Sequence, residues 1–263
     1  MAKIMECVPN ISEGRNKAVI EAVIDEIRAI PGVTLLDYSS DESHNRTVIT
    51  FLGEPERVGD AAVAVAKKAA ELINLTQHSG EHPRMGAVDV IPFIPIKEVT
   101  MEEAVALSKQ VAQRVWDEAN IPVFLYEDSA SAPHRQNLAA IRKGQFEGMA
   151  EKVKEDKWAP DFGGRTIHPT AGVVAVGARM PLVAYNINLS TSDVEGAGRV
   201  PQGEKLRTGV DQYDQFQQNA ALSRHRAGTC RSRALGRAHR RHRAHWPCAD
   251  EGAYRFGGVL SAD

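Results

Sequence analysis

The stretch His78-Ser79-Gly80-Glu81-His82-Pro83-Arg84-Met85-Gly86 gathers two imidazoles, a carboxylate and a guanidinium in one loop. An imidazole titrating near neutrality can take a proton and return it within one reaction, and an arginine offers a planar fork to a carboxylate. The same letters satisfy the H-x-x-E-H pattern of inverted zinc metallopeptidases at His78, Glu81 and His82. That pattern needs a helix with both histidines on one face. Gly80 weakens a helix here and Pro83 disfavours helical geometry at His82, so the residues argue against zinc and no metal is expected.

A second cluster, Asp41-Glu42-Ser43-His44-Asn45-Arg46, leads straight into the β-rich run Thr47-Val48-Ile49-Thr50-Phe51. Arg46 at a strand start can present its fork to a substrate carboxylate, with His44 and Asn45 adding directional hydrogen bonds. The plainer alternative is a solvated turn in which Asp41 pairs with Arg46. A third stretch, Trp158 to Gly172, sets aromatics beside Gly163-Gly164. Glycines let backbone amides approach a ligand, and Trp158 or Phe162 could wall a flat heterocycle.

These loops need elements to hold them. A strand is expected over Lys3–Val8, then a helix carried by Val19, Ile20, Val23, Ile24, Ile27 and Ile30 until Pro31-Gly32. Val33–Leu36 and Thr47–Leu52 read as strands joined by the long polar stretch Asp37–Arg46, taken as a working loop. Pro55 opens a second helix, Val88–Ile96 is a strand, Thr100 with Glu103 forms a capping box for a third helix ending near Asn120, and Pro122–Tyr126 returns as a strand. Short helical pieces are expected over 135–160 and a last strand over Pro181–Leu189. The order β-α-β-β-α-β predicts an α/β (α+β) fold, a ferredoxin-like open sheet with helices on one face, extended by a further helix and strand.

At 263 residues and 43% apolar composition the chain has room for one large domain or two modest ones. A net charge of −2 gives the whole molecule no electrostatic drive toward nucleic acid or a membrane. The opening MAKIMECVPN lacks secretory features and no run approaches the ~20 apolar residues of a membrane span, so a cytoplasmic location is expected. Cys7, Cys230 and Cys248 show no paired spacing; Cys7 reads as a buried small apolar residue.

Taken together, MECVPNISEGRN, HNRTVITFLG, HSGEHPRMGAVDVIPFIP, APDFGG and AYNINLSTSDVE, in this order, resemble the formiminotransferase family from about residue 3 to Glu195. The resemblance implies two α/β subdomains meeting at a folate-binding groove, with N-formimino-glutamate and tetrahydrofolate as small-molecule substrates and a homo-oligomer for intact members. It implies His82 as the acid–base residue, oriented by Glu81 or Asp89, and a folate-binding loop of Gly163, Gly164, Arg165, Thr166, Ile167, His168, Pro169, Thr170, Ala171 and Gly172. Arg46 and Arg84 are then the candidates for gripping the glutamate carboxylates, helped by His44 and Asn45. A formyl-handling relative or a non-catalytic remnant are the alternatives.

Residues 1–180 are thus expected to form the N-terminal subdomain and 181–195 to begin the second. From 196 to 263 the family pattern disappears. Back-translated and read one base later, Val210–Arg224 gives SINMINFSKTPLYR, which resembles the second subdomain, so this tail is expected to be out of frame and poorly packed. Its Arg- and His-rich run from Arg224 to His245 admits an alternative as a nucleic-acid-binding arm, which the scarcity of aromatics counts against.

Overall fold

The computed structural model describes residues 2–182. The expected strand through Leu189, the start of a second subdomain and the out-of-frame tail lie outside the described residues.

One mixed sheet organises the molecule. Strands β1 (Ile4–Cys7) and β2 (Asn10–Ile11) are two halves of one position, flanked on one side by β4 (Arg46–Gly53) and on the other by β5 (Val88–Lys97). β3 (Val33–Asp41) pairs outside β4, all in antiparallel register, and β7 (Val174–Ala178) and β6 (Val123–Glu127) continue beyond β5 in parallel. The interruption between β1 and β2 keeps its ladder: Val8 N donates to Pro92 O at 3.3 Å and Ile49 N to Pro9 O at 3.0 Å.

Burial patterns follow the two kinds of pairing. In antiparallel β4 burial alternates, with Thr47, Ile49 and Phe51 enclosed and their neighbours half-buried, the mark of a sheet covered mainly on one face. Parallel β6 and β7 are buried at almost every position, so both faces are covered. Val123, Leu125, Val174 and Val176 join the main core under α1 (Lys17–Arg28), α2 (Pro55–Leu72) and α3 (Met101–Ala119), whereas Phe124, Tyr126, Val173 and Ala175 face a second core with Ile141 and Met149. That second core is roofed by α4 (Leu138–Arg142) and α5 (Gln145–Lys152). The expectation of helices on one face therefore needs correction: the short pieces over 135–160 form a layer on the other face at the parallel end.

The helices begin and end as their sequences dictate. Asn16 Oδ1 accepts from the Ala18 and Val19 amides to start α1, Pro55 opens α2, and Thr100 and Glu103 close a reciprocal capping box on α3. α3 stops where Asn120 turns left-handed at φ 53°.

Two further differences bear on the site. The polar stretch from Asp37 is strand rather than loop: Asp37 pairs Thr50 and Asp41 pairs Arg46, leaving a connection of only 42–45. An edge strand needs a hydrogen-bonded backbone and no apolar side chains, so its composition hides it. β7 was not expected at all, although Val173-Val174-Ala175-Val176 is the continuous apolar run of a strand buried on both faces.

Candidate functional site

The sheet edge formed by the end of β2 and the starts of β4, β5 and β7 carries three of the chemically rich stretches side by side. The 78–87 loop contains no helix, and His78 uses both ring nitrogens: Nε2 donates to Asn45 O at 3.0 Å and Nδ1 accepts from Arg84 Nε at 3.1 Å. The metallopeptidase alternative thus loses its helix and one of its ligands. Among the described residues no group of three His, Cys, Asp or Glu side chains is placed to hold a metal ion.

Arg46 reaches His82. Its Nη1 donates to His82 Nε2 at 2.9 Å and to Asn10 Oδ1 at 3.1 Å, so the accepting Nε2 carries the lone pair and the neutral ring keeps its proton on Nδ1. Asp41 does not take the Arg46 side chain; its carboxylate faces His44 Nδ1 at 3.0 Å. The His44 and His82 rings sit 6.4 Å apart, edge to face. Burial, then the positive fields of Arg46 and Arg142 and the neighbouring His44 and His78, push the His82 imidazole down to about 2. The ring is held neutral and basic in form, in a positive surrounding that suits an anionic ligand.

The structure redistributes several expected roles. Arg84 is buried and places all five N–H donors on protein: Nε on His78 Nδ1, Nη1 on Gln145 Oε1 and Glu147 Oε2, Nη2 on His78 O and Glu147 Oε1. It is a strut between the loop and α5, not a carboxylate grip. Asn45, buried and left-handed at φ 50°, is a tie as well: Oδ1 accepts from Gly14 N at 2.9 Å and Nδ2 donates to Ser79 O at 3.0 Å. Neither expected orienter of His82 touches it through the hydrogen bonds found. Glu81 is exposed, and Asp89 is buried, accepting from Met85 N at 2.8 Å and from Arg142 Nη2 at 2.5 Å. Arg142 was missed from sequence because nothing in its surroundings, Ala-Ala-Ile-Arg-Lys, marks it.

The 163–172 loop divides into two parts. Gly163 to Thr166 are exposed, with Arg165 turned to Lys154 O and Asp156. From Ile167 onward the loop packs: Ile167 lies on the second core, and His168 Nδ1 accepts from Ala171 N at 2.9 Å. Its end is stitched to the His82 loop by an antiparallel bridge between Gly86 and Gly172, with Ala87 N donating to Ala171 O at 2.9 Å and Val173 N to Met85 O at 3.0 Å. Only glycine fits that seam. A Cβ on Gly86 would lie 2.0 Å from Val173 O, and one on Gly172, at φ +68°, 2.2 Å from Met85 O. The aromatics flanking the loop are already engaged: Phe162 packs on the main core, and Trp158 meets Lys152 Nζ at 4.2 Å and the His134 ring at 5.0 Å.

A family profile described as "Formiminotransferase domain, N-terminal subdomain" matches residues 4–179. The chain belongs to the formiminotransferase family. It is 60% identical over 200 residues to "Glutamate formimidoyltransferase" of Streptococcus pyogenes serotype M1, covering 76% of this chain and 67% of that protein. A Thermoplasma acidophilum protein of the same name is 44% identical, covering 78% of this chain and 68% of its own length. To "Formimidoyltransferase-cyclodeaminase" of Mus musculus it is 48% identical, but over only 37% of that longer protein. The resemblance read from the motifs is borne out, as are the α/β class and the expectation of a glutamate formimidoyltransferase-type transferase. Among the described residues, no helix of this formiminotransferase subdomain is long and apolar enough to cross a membrane.

Proposed function

We propose that this site transfers the formimino group of N-formimino-L-glutamate to tetrahydrofolate, with His82 moving the protons. The observation that carries the reading is the neutral His82, its Nε2 lone pair presented at the sheet edge beside Arg46. A ring nitrogen of the reduced folate attacks the formimino carbon; the tetrahedral adduct then loses a proton from that nitrogen and delivers one to the departing glutamate nitrogen. His82 Nε2 is the base for the first transfer and the acid for the second.

An imidazole near 2 is too weak a base for this task, and the donor itself supplies the remedy. Its two carboxylates bring negative charge to the arginines that hold the proton affinity of His82 down, and a carboxylate on Arg46 releases Nε2 from its hydrogen bond. Donor binding therefore raises the imidazole toward the working range when the acceptor is to be attacked. The 163–172 loop, joined to the His82 loop at the glycine seam, supports its assignment to the folate.

The test is calorimetric titration of the chain with tetrahydrofolate beside an assay of glutamate release from formiminoglutamate, for the parent and His82→Ala. Folate affinity retained in both, with release lost in the variant, is expected. Absence of folate binding, or release indifferent to the substitution, would refute the reading.

A further inference from the structure

Arg84 and Arg142 both serve the His82 loop, and they use their donors in opposite ways. Where Arg84 places all five on protein, Arg142 gives one, Nη2, to Asp89. Its Nε is enclosed without a partner among the described residues, while the side chain as a whole keeps 17% exposure. An enclosed orphan N–H is costly, and native structures keep such groups where water or a ligand completes them.

The arrangement that holds Arg142 is rigid. Asp89 is 1% exposed and anchored by the Met85 amide three residues beyond His82. α4, which ends at Arg142, is fastened from below by Lys152, whose Nζ donates to Ala140 O at 2.7 Å, Ile141 O at 2.6 Å and Lys143 O at 3.0 Å. A guanidinium held by one nitrogen on a buried carboxylate keeps its remaining donors oriented, which suits a planar anion. The one acid paired with it among the described residues, Asp89, is engaged by Arg142 itself.

We propose that Arg142 receives one carboxylate of the amino-acid donor, so that the site selects a dicarboxylate over a monocarboxylate. This rests on the transfer reading above for the identity of the donor. Arg142 takes over the role that the sequence suggested for Arg84, and Arg46 faces the second carboxylate.

The test uses the full chain and a stable analogue, N-formyl-L-glutamate, titrated calorimetrically beside N-formyl-L-glutamine and N-formyl-4-aminobutyrate, each of which lacks one carboxylate. Arg142→Met should weaken the dicarboxylate about tenfold or more and erase its advantage over one monocarboxylate, leaving the other monocarboxylate and tetrahydrofolate unchanged. Arg142→Lys, which keeps the charge but not the fork, should lose a smaller factor on the same ligand alone. Equal weakening of all three probes, no weakening, or a parent that binds none of them overturns the proposal. If Arg142→Met does not fold, Arg142→Lys decides by the same criteria. Loss of folate binding with Arg142-dependent selectivity intact would sink the transfer reading and leave the carboxylate site standing.

Discussion

Replacing His82 by Gln should flatten the acid side of the stability curve. In the unfolded chain this imidazole titrates near 6.5, while in the fold burial and the flanking arginines hold it at about 2. Between those values the unfolded state binds a proton that the folded state refuses, so stability contributed by His82 is complete above pH 6.5 and falls as pH drops. The slope is at most about 1.4 kcal/mol per pH unit, which makes about 2 kcal/mol between pH 7 and pH 5 for this one group. His78 and His168, both lowered chiefly by burial, titrate alike in parent and variant and cancel in the comparison. Urea denaturation of both proteins at pH 7, 6 and 5 measures the difference. Gln keeps an acceptor for Arg46 but has no proton to gain, so the parent should lose about 2 kcal/mol relative to the variant between pH 7 and pH 5. Parallel curves would show that the ring is not held neutral by its surroundings, and the electrostatic account of the site would fail.

The other expectations concern the frame around that ring. Gly172→Ala must strain a left-handed backbone and push a methyl into Met85 O, so a loss of more than about 2 kcal/mol is expected in denaturant titration. Asp161→Asn strips the buried Arg135 of its 2.8 Å carboxylate partner, both side chains being nearly enclosed, and should lower stability by about 3–5 kcal/mol; an unchanged melting temperature would refute that burial. Asn45→Ala removes the bonds to Gly14 and Ser79 and should cost about 1–3 kcal/mol while speeding amide exchange of Gly14, readable by NMR.

The sequence displayed chemistry more readily than its allocation. His82, Arg46 and the loop ending at Gly172 converge as their spacing suggested, because each lies within a few residues of a strand start with a strong apolar signature. Arg84 reads like a binding arginine until its partners are known, and Glu147 lies 63 residues away. Arg142 is equally silent, its hydrogen-bond partner among the described residues being 53 residues distant. Pairing between far positions leaves no local trace when each partner is an ordinary surface residue type. β3 shows the same limit for backbone, since its polar half Asp37–Asp41 is strand through its neighbour rather than its own composition.

The bare seam between Gly86 and Gly172 means that the His82 loop and the loop beside Trp158 cannot be retuned independently. A change that shifts one drags its sibling along, for there is no side chain between them to absorb slack. Variation at one loop alone would therefore have to fall on the outer, exposed half of the second, Gly163 to Thr166, or else move both loops at once.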